Sequence, residues 1–417
     1  LQRKIPPSWP PLAAFFRTCE DFRLFHPEEN ILRMKRILLI LGLLLLLLTA
    51  ALALAPMLFK DKIRALVEAQ ANSALRAKLA FGDLGLSFLR NFPNARISIT
   101  DFSVAGIGPF EGDTLAQGER FVLVADLWSV ISGGEIQLRR LLLDQPRLHL
   151  IVLEDGSANW DIAPADTSAA PSKAGSSSFR AALRAYELND ATILYEDPSL
   201  PMRLRLDGVQ HRGSGDLSAS EFTLDTRTEI ASLFLEYDGI AYFSQARARA
   251  EGRVKIALDP VIRMDFLQDR LEINDLSADL SGYFAMPGEG IVLDMSLQAL
   301  PSNVKALLSL VPGVYSAAFA EVKAGGSLSL AASLKGTLND SLMPGFGLDV
   351  KVENGSLQYP GLPQPVSNIR LDLSLQNPDG DFEHTSLDLR DLHADLGANP
   401  VDARLRTRGL SRMEVEG

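Results

Sequence analysis

The stretch Ile37–Phe59, ILLILGLLLLLLTAALALAPMLF, holds about 23 residues without a charge. At roughly 1.5 Å per residue, a helix of that length crosses a bilayer core. Arg33, Lys35 and Arg36 precede it, and Lys60, Lys62 and Arg64 follow it. Basic flanks on both sides leave the loop-charge rule no asymmetry to read. A cleaved secretory signal is the competing reading, because Ala53-Leu54-Ala55 has the small-residue pattern of a cleavage site. The run exceeds the roughly 7–15 residues of a signal core, and Pro56 stands where cleavage would fall. An uncleaved signal anchor over 34–59 is therefore expected. Residues 1–33, with PPSWPP and scattered charges, read as a leader from a misassigned start, Met34 being the expected first residue.

Composition narrows what lies beyond the anchor. A net charge of -11 and a pI near 5.1 argue against nucleic acid as a partner, since phosphate binding needs a basic surface. The single cysteine, Cys19, lies upstream of the apolar run. The rest of the chain therefore has neither disulfide nor thiolate, which suits a bacterial envelope protein better than a secreted disulfide scaffold.

Residues 60–80 continue as a juxtamembrane helix, with Ile63, Leu66, Val67, Ala71, Ala74 and Leu75 at helical spacing. Packing against the first strands is the expected role of that helix; lying on the membrane surface is the alternative. From Phe81 the period changes to two. ARISITDFSVAG, ERFVLVADLWSVI and GEIQLRRLLLDQPRLHLIVLEDGSANW read as strands of a first β-module over 81–163, with turns at Gly133-Gly134, Gln145-Pro146 and Asp155-Gly156. The low-complexity residues 164–178 read as a flexible linker or loop. Over 179–417 a short helical piece near Phe179–Ala185 gives way to alternating segments, from MRLRLDGV to TSLDLRDLHADL. These are interrupted by one short helix in PSNVKALLSL. The pattern stops at Gly417 in mid-course and reads as truncated. The fold class expected is mainly β: an N-terminal transmembrane helix, then an elongated, twisted antiparallel sheet with few short helices.

The alternation is one-sided. Met202, Leu204 and Leu206 share one face while Arg203, Arg205 and Asp207 share the other. Val254, Ile256 and Leu258, then Leu328 and Leu330, then Ile369, Leu371, Leu373 and Leu375 repeat the pattern. Too few amphipathic helices follow Phe81 to cover that many strands. A second sheet or a closed barrel would bury the apolar face; a lipid in an open groove would do the same. Strand pattern alone leaves both open.

Catalytic signatures are missing from the sequence. It contains no G-x-S-x-G, no Walker loop and no H-E-x-x-H. His149 alternates with Leu148 and Leu150 and is expected on the polar face. His384 and His393, with Asp388, Asp391 and Asp395, match no compact zinc spacing. Asn377-Pro378-Asp379-Gly380-Asp381 has the look of a calcium loop without its later ligands, and sits where a hairpin turn belongs. No enzyme, cofactor or metal is expected.

Residues 143–162, LDQPRLHLIVLEDGSANWDI, resemble the signature of the AsmA family, with Asp144, Pro146, Arg147, Asp155, Gly156, Asn159 and Trp160 at the matching positions. Upstream, FKDKIRALVEAQANSAL and FGDLGLSFLRNFPNARISITDFSV are similar to the family's N-terminus. Downstream, LSLVPGVY, GSLSLAASLKGTL and ENGSLQYPGLPQPVSNIRLDLSLQNPDG resemble longer AsmA-like proteins of Bacteroidetes-type bacteria. The resemblance covers roughly residues 34–400; family members of this kind usually run longer, and the leader has no counterpart. It implies a single-pass inner-membrane anchor, N-terminus cytoplasmic, with the β-structure in the periplasm. It also implies kinship with chorein-type bridge proteins, whose curved sheets form a groove for lipid acyl chains. Membrane phospholipids are then the expected partners, with outer-membrane or envelope assembly proteins beside them. The expected role is phospholipid transport between membranes or outer-membrane biogenesis. A closed-core envelope scaffold, without lipid, is the alternative.

Overall fold

The computed structural model describes residues 27–416, except 89–90, 133–136, 163–182, 199–200, 218, 288–289, 311–320, 340–341, 362 and 410–413. The expected leader over 1–33 falls mostly outside these residues, and the linker over 164–178 falls wholly outside them. The chain divides into two compact units, Leu1–Ala55 and Pro56–Gly417.

Helix α1 (Pro27–Ala74) begins in the first unit and ends in the second. Within it, Met34–Ala51 is long and apolar enough to cross a membrane, and none of that segment is buried. The helix stops short of the expected 60–80. Its apolar spacing ends at Leu75, and Lys78–Ala80 instead forms strand β1, paired with β3 (Asn94–Ala105) through Leu79 and Val104. Two side chains tie α1 to the loop that follows β1. Lys60 Nζ lies 2.6 Å from Asp83 Oδ1, and the Arg64 guanidinium stands 5.2 Å from the centroid of the Phe81 ring.

The second unit is built on one twisted sheet of twenty strands. At one edge β1 and β2 (Leu84–Ser87) both pair with β3. Next come β4 (Thr114–Asp126), then β5 (Leu138–Asp144) and β6 (Arg147–Ile151) end to end, then β7 (Ala185–Asp197). From there the sheet is an antiparallel meander through β8 (Met202–Gly215), β9 (Glu221–Tyr237), β10 (Ile240–Ala257), β11 (Ile262–Ile273), β12 (Leu276–Met286) and β13 (Ile291–Ala299). After the two-residue β14 (Ser302–Asn303) it continues through β15 (Lys323–Leu338), β16 (Gly345–Gln358), β17 (Val366–Asn377), β18 (Ser386–Leu396), β19 (Asn399–Arg408) and β20 (Glu414–Glu416).

Four expectations change. The sheet is mixed rather than antiparallel, because β7 runs parallel to both β5 and β6. A parallel partner needs a crossover, and here the chain from Val152 to Arg184 supplies it. Gln145-Pro146 is not a turn: β5 and β6 stay in line between β4 and β7, and the dipeptide is a bulge within that line. The segment ERFVLVADLWSVI is not one strand, since β4 ends at Asp126 and α2 (Leu127–Ser132) follows. PSNVKALLSL contributes β14 and a shorter helix, α3 (Val304–Leu308). Of the helical piece near 179–185, only 183–185 are described, and Ala185 already belongs to β7.

Two clusters gather part of the buried core. One gathers Phe81, Leu84 and Phe102 at the start of the sheet, with Ile97, Ile99 and Phe121 against them. The other centres on Leu328, Leu330, Val350 and Val352, under Val304 and Ala306 of α3. Each draws on neighbouring strands. Among the described residues neither joins strands from distant parts of the sheet, as a sandwich or closed barrel core would.

Candidate functional site

Strand register turns the one-sided alternation into a surface. Leu150 pairs with Tyr195, Tyr195 with Leu204, Leu204 with Leu235, and Leu235 with Phe243. One row over, Leu148, Ile193, Leu206, Leu233 and Ala246 follow the same path. Further on, Leu224, Val254 and Phe266 stand in line, as do Met264, Phe284 and Leu293. Past α3, Leu330, Val350, Leu373, Leu389 and Leu405 cross five strands in a single row. Paired residues project to the same side of a sheet, so apolar rows recur on one face from β6 to β19, with His211, Thr228 and buried Asp269 as polar members among them.

Bulges keep that face in phase. Between Leu206 and Val209 the left-handed Gly208, at φ 64°, shifts β8 by one residue, so that Val209 and His211 continue the side begun by Leu204 and Leu206. A Cβ on Gly208 would come within 2.8 Å of that of Ala231. His211 thus sits on the apolar side, where its ring nitrogens meet Thr228 Oγ1 at 2.8 Å and the Tyr186 hydroxyl at 3.2 Å. Burial pushes its pKa down.

The candidate residues fall into three groups. Ile256, Leu328 and Leu330 are buried. Met202, Leu204, Leu206, Val254, Ile369, Leu371, Leu373 and Leu375 are half-buried. Leu258 lies beyond the end of β10, is 48% exposed, and does not belong to the strand face. Covering is uneven. Ile369, Leu371 and Leu373 pack against the cluster capped by α3, whereas Leu204 and Leu206 belong to neither buried cluster.

The opposite face carries charge in register. Arg227 stands across from Glu251, Glu251 from Arg270, and Arg270 from Asp279. Arg270 reaches Asp279 at 3.3 Å, Lys351 reaches Asp372 at 3.4 Å, and Arg406 reaches Asp388 at 2.9 Å. Exposed pairs of this kind contribute little stability each; they keep the side wet and the apolar side defined. A cavity of about 590 Å³ on this charged side is lined by Arg249, Glu251, Leu267, Arg270, Glu272 and Asp279, which pair largely among themselves. His149 faces this side as expected and meets Glu196 at 2.9 Å.

The 144–160 motif is architectural. Asp144 accepts from Asn189 Nδ2 at 2.8 Å and pairs with Arg120 at 3.5 Å. Gln145 takes a left-handed φ of 48°, and its N–H donates to Asn189 O at 2.8 Å; across from it Asp190 is also left-handed, at 53°. The two bulges match, so the parallel pairing resumes beyond them. Pro146 is fully buried, and its carbonyl accepts from Thr192 N at 2.9 Å. Arg147 opens β6 with an exposed side chain and pairs in register with Thr192. Asp155 and Gly156 form the turn that returns the chain, Asp155 Oδ1 accepting from Ser157 N at 2.9 Å. Asn159 is 3% exposed. Its Oδ1 accepts from Ile151 N at 3.0 Å and its Nδ2 donates to His149 O at 2.7 Å, so an amide side chain stands in for a neighbouring strand along β6. Trp160 is 42% exposed and lies 6.1 Å from the Tyr195 ring. The Tyr195 hydroxyl donates to buried Asp197 at 2.8 Å, and desolvation followed by that bond pushes its pKa to about 12.

Asp379 and His384 pair at 2.7 Å, while His393 meets Asp402 at 2.8 Å and Asp395 at 3.5 Å, so the two histidines noted in the sequence go to separate partners. The Asn377–Asp381 loop is a hairpin turn organised by the Asn377 side chain, which reaches Thr385 Oγ1 at 2.9 Å and Asp381 O at 2.7 Å. Sequence reading passed over Leu233, Leu235 and Phe243, which complete the face in β9 and β10. Their alternation is broken by TRTE and by the irregular register at Ala241–Ala248; the short run SLFLEY is the signal that marks Leu233 and Leu235.

A twenty-strand sheet with one apolar face, joined to a membrane-length helix, defines a membrane-anchored β-sheet protein. The AsmA family model matches residues 33–358, and this chain belongs to that family. No curated protein and no solved structure matches it.

Proposed function

We propose that this protein shields lipid acyl chains on the apolar face of its sheet. It is anchored by α1 in a bacterial inner membrane, with its N-terminus cytoplasmic and the sheet in the periplasm. The observation that carries the proposal is the unbroken run of apolar cross-strand partners from Leu150 to Phe243, left half-buried with no second sheet over it among the described residues. Family membership and the membrane-length helix support it. Each methylene removed from water contributes about 0.8 kcal/mol, and contacts of this kind have no preferred direction along equivalent strands. A phospholipid can then rest its tails on the face with its headgroup in water, and shift from row to row. That suits phospholipid movement between membranes, or outer-membrane biogenesis, without enzymatic chemistry or cofactor and with net flow set by partner proteins of the envelope.

A second reading has its own support. Beneath α3 the face is covered by the chain itself, as in a scaffold with a closed core. A photo-crosslinking amino acid placed at Leu204, Leu235 or Arg203 of the full chain in a bacterial envelope separates the two. Phospholipid adducts at Leu204 and Leu235, and none at Arg203, are expected for a lipid surface. Adducts at none of the three, or only to protein, would overturn it in favour of the scaffold.

A further inference from the structure

One end of the first β-module displays two bare aromatic rings on a fixed platform. In α2, Leu127 and Ser129 turn inward at 9% and 8% exposure, while Trp128 between them is 76% exposed. The helix is held from both sides. Asp126 Oδ1 accepts from Ser129 N at 3.0 Å, Ser129 Oγ accepts from Gln137 N at 3.1 Å, and Arg139 pairs with Asp126 at 3.1 Å. Leu127 N donates to Pro93 O at 3.2 Å. The neighbour of each partner in that bond is an exposed aromatic: Trp128 on one side and Phe92, 63% exposed, on the other. Aromatic side chains bury roughly 150–250 Å² each when covered, a strong drive toward a partner.

The path of α1 says which partner. From Arg64 to Lys60 the helix runs backward while its sheet contacts advance from Phe81 to Asp83. Strand β2 continues in that sense from Leu84 to Ser87, and the chain then reaches Phe92. The ladder agrees: Asn94 at the start of β3 pairs with Asp126 at the end of β4, immediately before α2. At the other end of α1, Arg76 N donates to Ile162 O at 2.7 Å, beyond the far end of β6. Both aromatics therefore lie at the end of this unit where α1, followed back through the chain, enters it.

We propose that Phe92 and Trp128 form a docking surface for the lipid interface of the bilayer that α1 crosses. Tryptophan favours the headgroup level, where its ring is buried and its N–H stays wet. The surface fixes the first strands against the membrane at a second point beside the helix. This role goes beyond lipid shielding and holds whether or not the apolar face carries a lipid.

The test uses the full chain in vesicles of phosphatidylethanolamine and phosphatidylglycerol. With Trp9→Phe and Trp160→Phe, Trp128 is the only tryptophan. Lipids brominated on their acyl chains should quench its emission, and aqueous iodide should quench it several-fold less than in a Phe382→Trp control lacking the three native tryptophans. Phe92→Cys in a Cys19→Ser background, labelled with a polarity-sensitive fluorophore, keeps every tryptophan in place and should shift to the blue on reconstitution. Full iodide access to Trp128, or an unshifted Phe92→Cys label, would overturn the proposal and leave the patch to a protein partner.

Discussion

Asn159 has a small side chain and an outsized task. Strand β4 leaves β6 after only two pairings, and the amide of Asn159 takes over the free edge at His149 and Ile151. Asn159→Ala leaves a half-buried N–H and a half-buried carbonyl without this partner, so a loss of about 1 kcal/mol is expected, read as a lower denaturation midpoint of the full chain. Asn159→Asp should be no better, since a carboxylate oxygen then faces the His149 carbonyl. A neighbouring group predicts a pH effect. His149 first, then Arg203, hold the Glu196 carboxyl below its ordinary value of 4.5. A carboxyl depressed in the folded state stabilises above its unfolded pKa, and that contribution is lost as pH falls through the folded value. Glu196→Gln should therefore lower the midpoint at pH 7, with the gap to the parent closing below about pH 4. A gap that persists at low pH would assign the loss to packing instead.

Among the elements, α3 is the one whose placement changes how the face works. Asn303 caps it by accepting from Ala306 N at 3.1 Å, and the helix seats Val304 and Ala306 on the cluster that includes Leu328 and Leu330. Replacing such a cap by alanine costs about 1 kcal/mol. Asn303→Ala should loosen the cover and raise the binding of an apolar dye to the full chain, while a cap-neutral change at exposed Lys305 leaves dye binding unchanged. The elements also mark how far sequence could be read. Alternation in MRLRLDGV or NIRLDLSLQN names strand and face together, because side-chain period is local. The parallel placement of β7 is not local: it depends on which strand a distant segment joins after a long crossover. Gln145-Pro146 misleads for a related reason, since a left-handed residue followed by one without an N–H suits a turn and a bulge equally, and only the matching bulge at Asp190 decides. Trp128 was hidden inside an apparent strand, although Asp126 just before it is a favoured N-cap residue.

For the whole molecule, exposure decides where the lipid reading is best challenged. Leu371 and Leu373 belong to the alternating face, but both pack against the cluster under α3. A charge there would unseat the core, and a lost function would then report misfolding. Asp372 is no neutral control either, because it meets Arg390 at 2.8 Å and Lys351 at 3.4 Å. The half-buried Leu204 and Leu206 stand apart from both clusters, next to outward Arg203 with its side chain 57% exposed. Leu204→Glu with Leu206→Glu should leave the strand signal in circular dichroism and the membrane insertion of α1 intact. It should also abolish the crosslinking of phospholipid to a probe at Leu235, the cross-strand partner of Leu204. Arg203→Gln should weaken crosslinking at Leu235 little, since it changes only the wet side and leaves Glu196 its bond to His149. Equal loss from both substitutions, in protein that keeps its strand signal, would mean that lipid does not distinguish the two faces and that the apolar row is not its path.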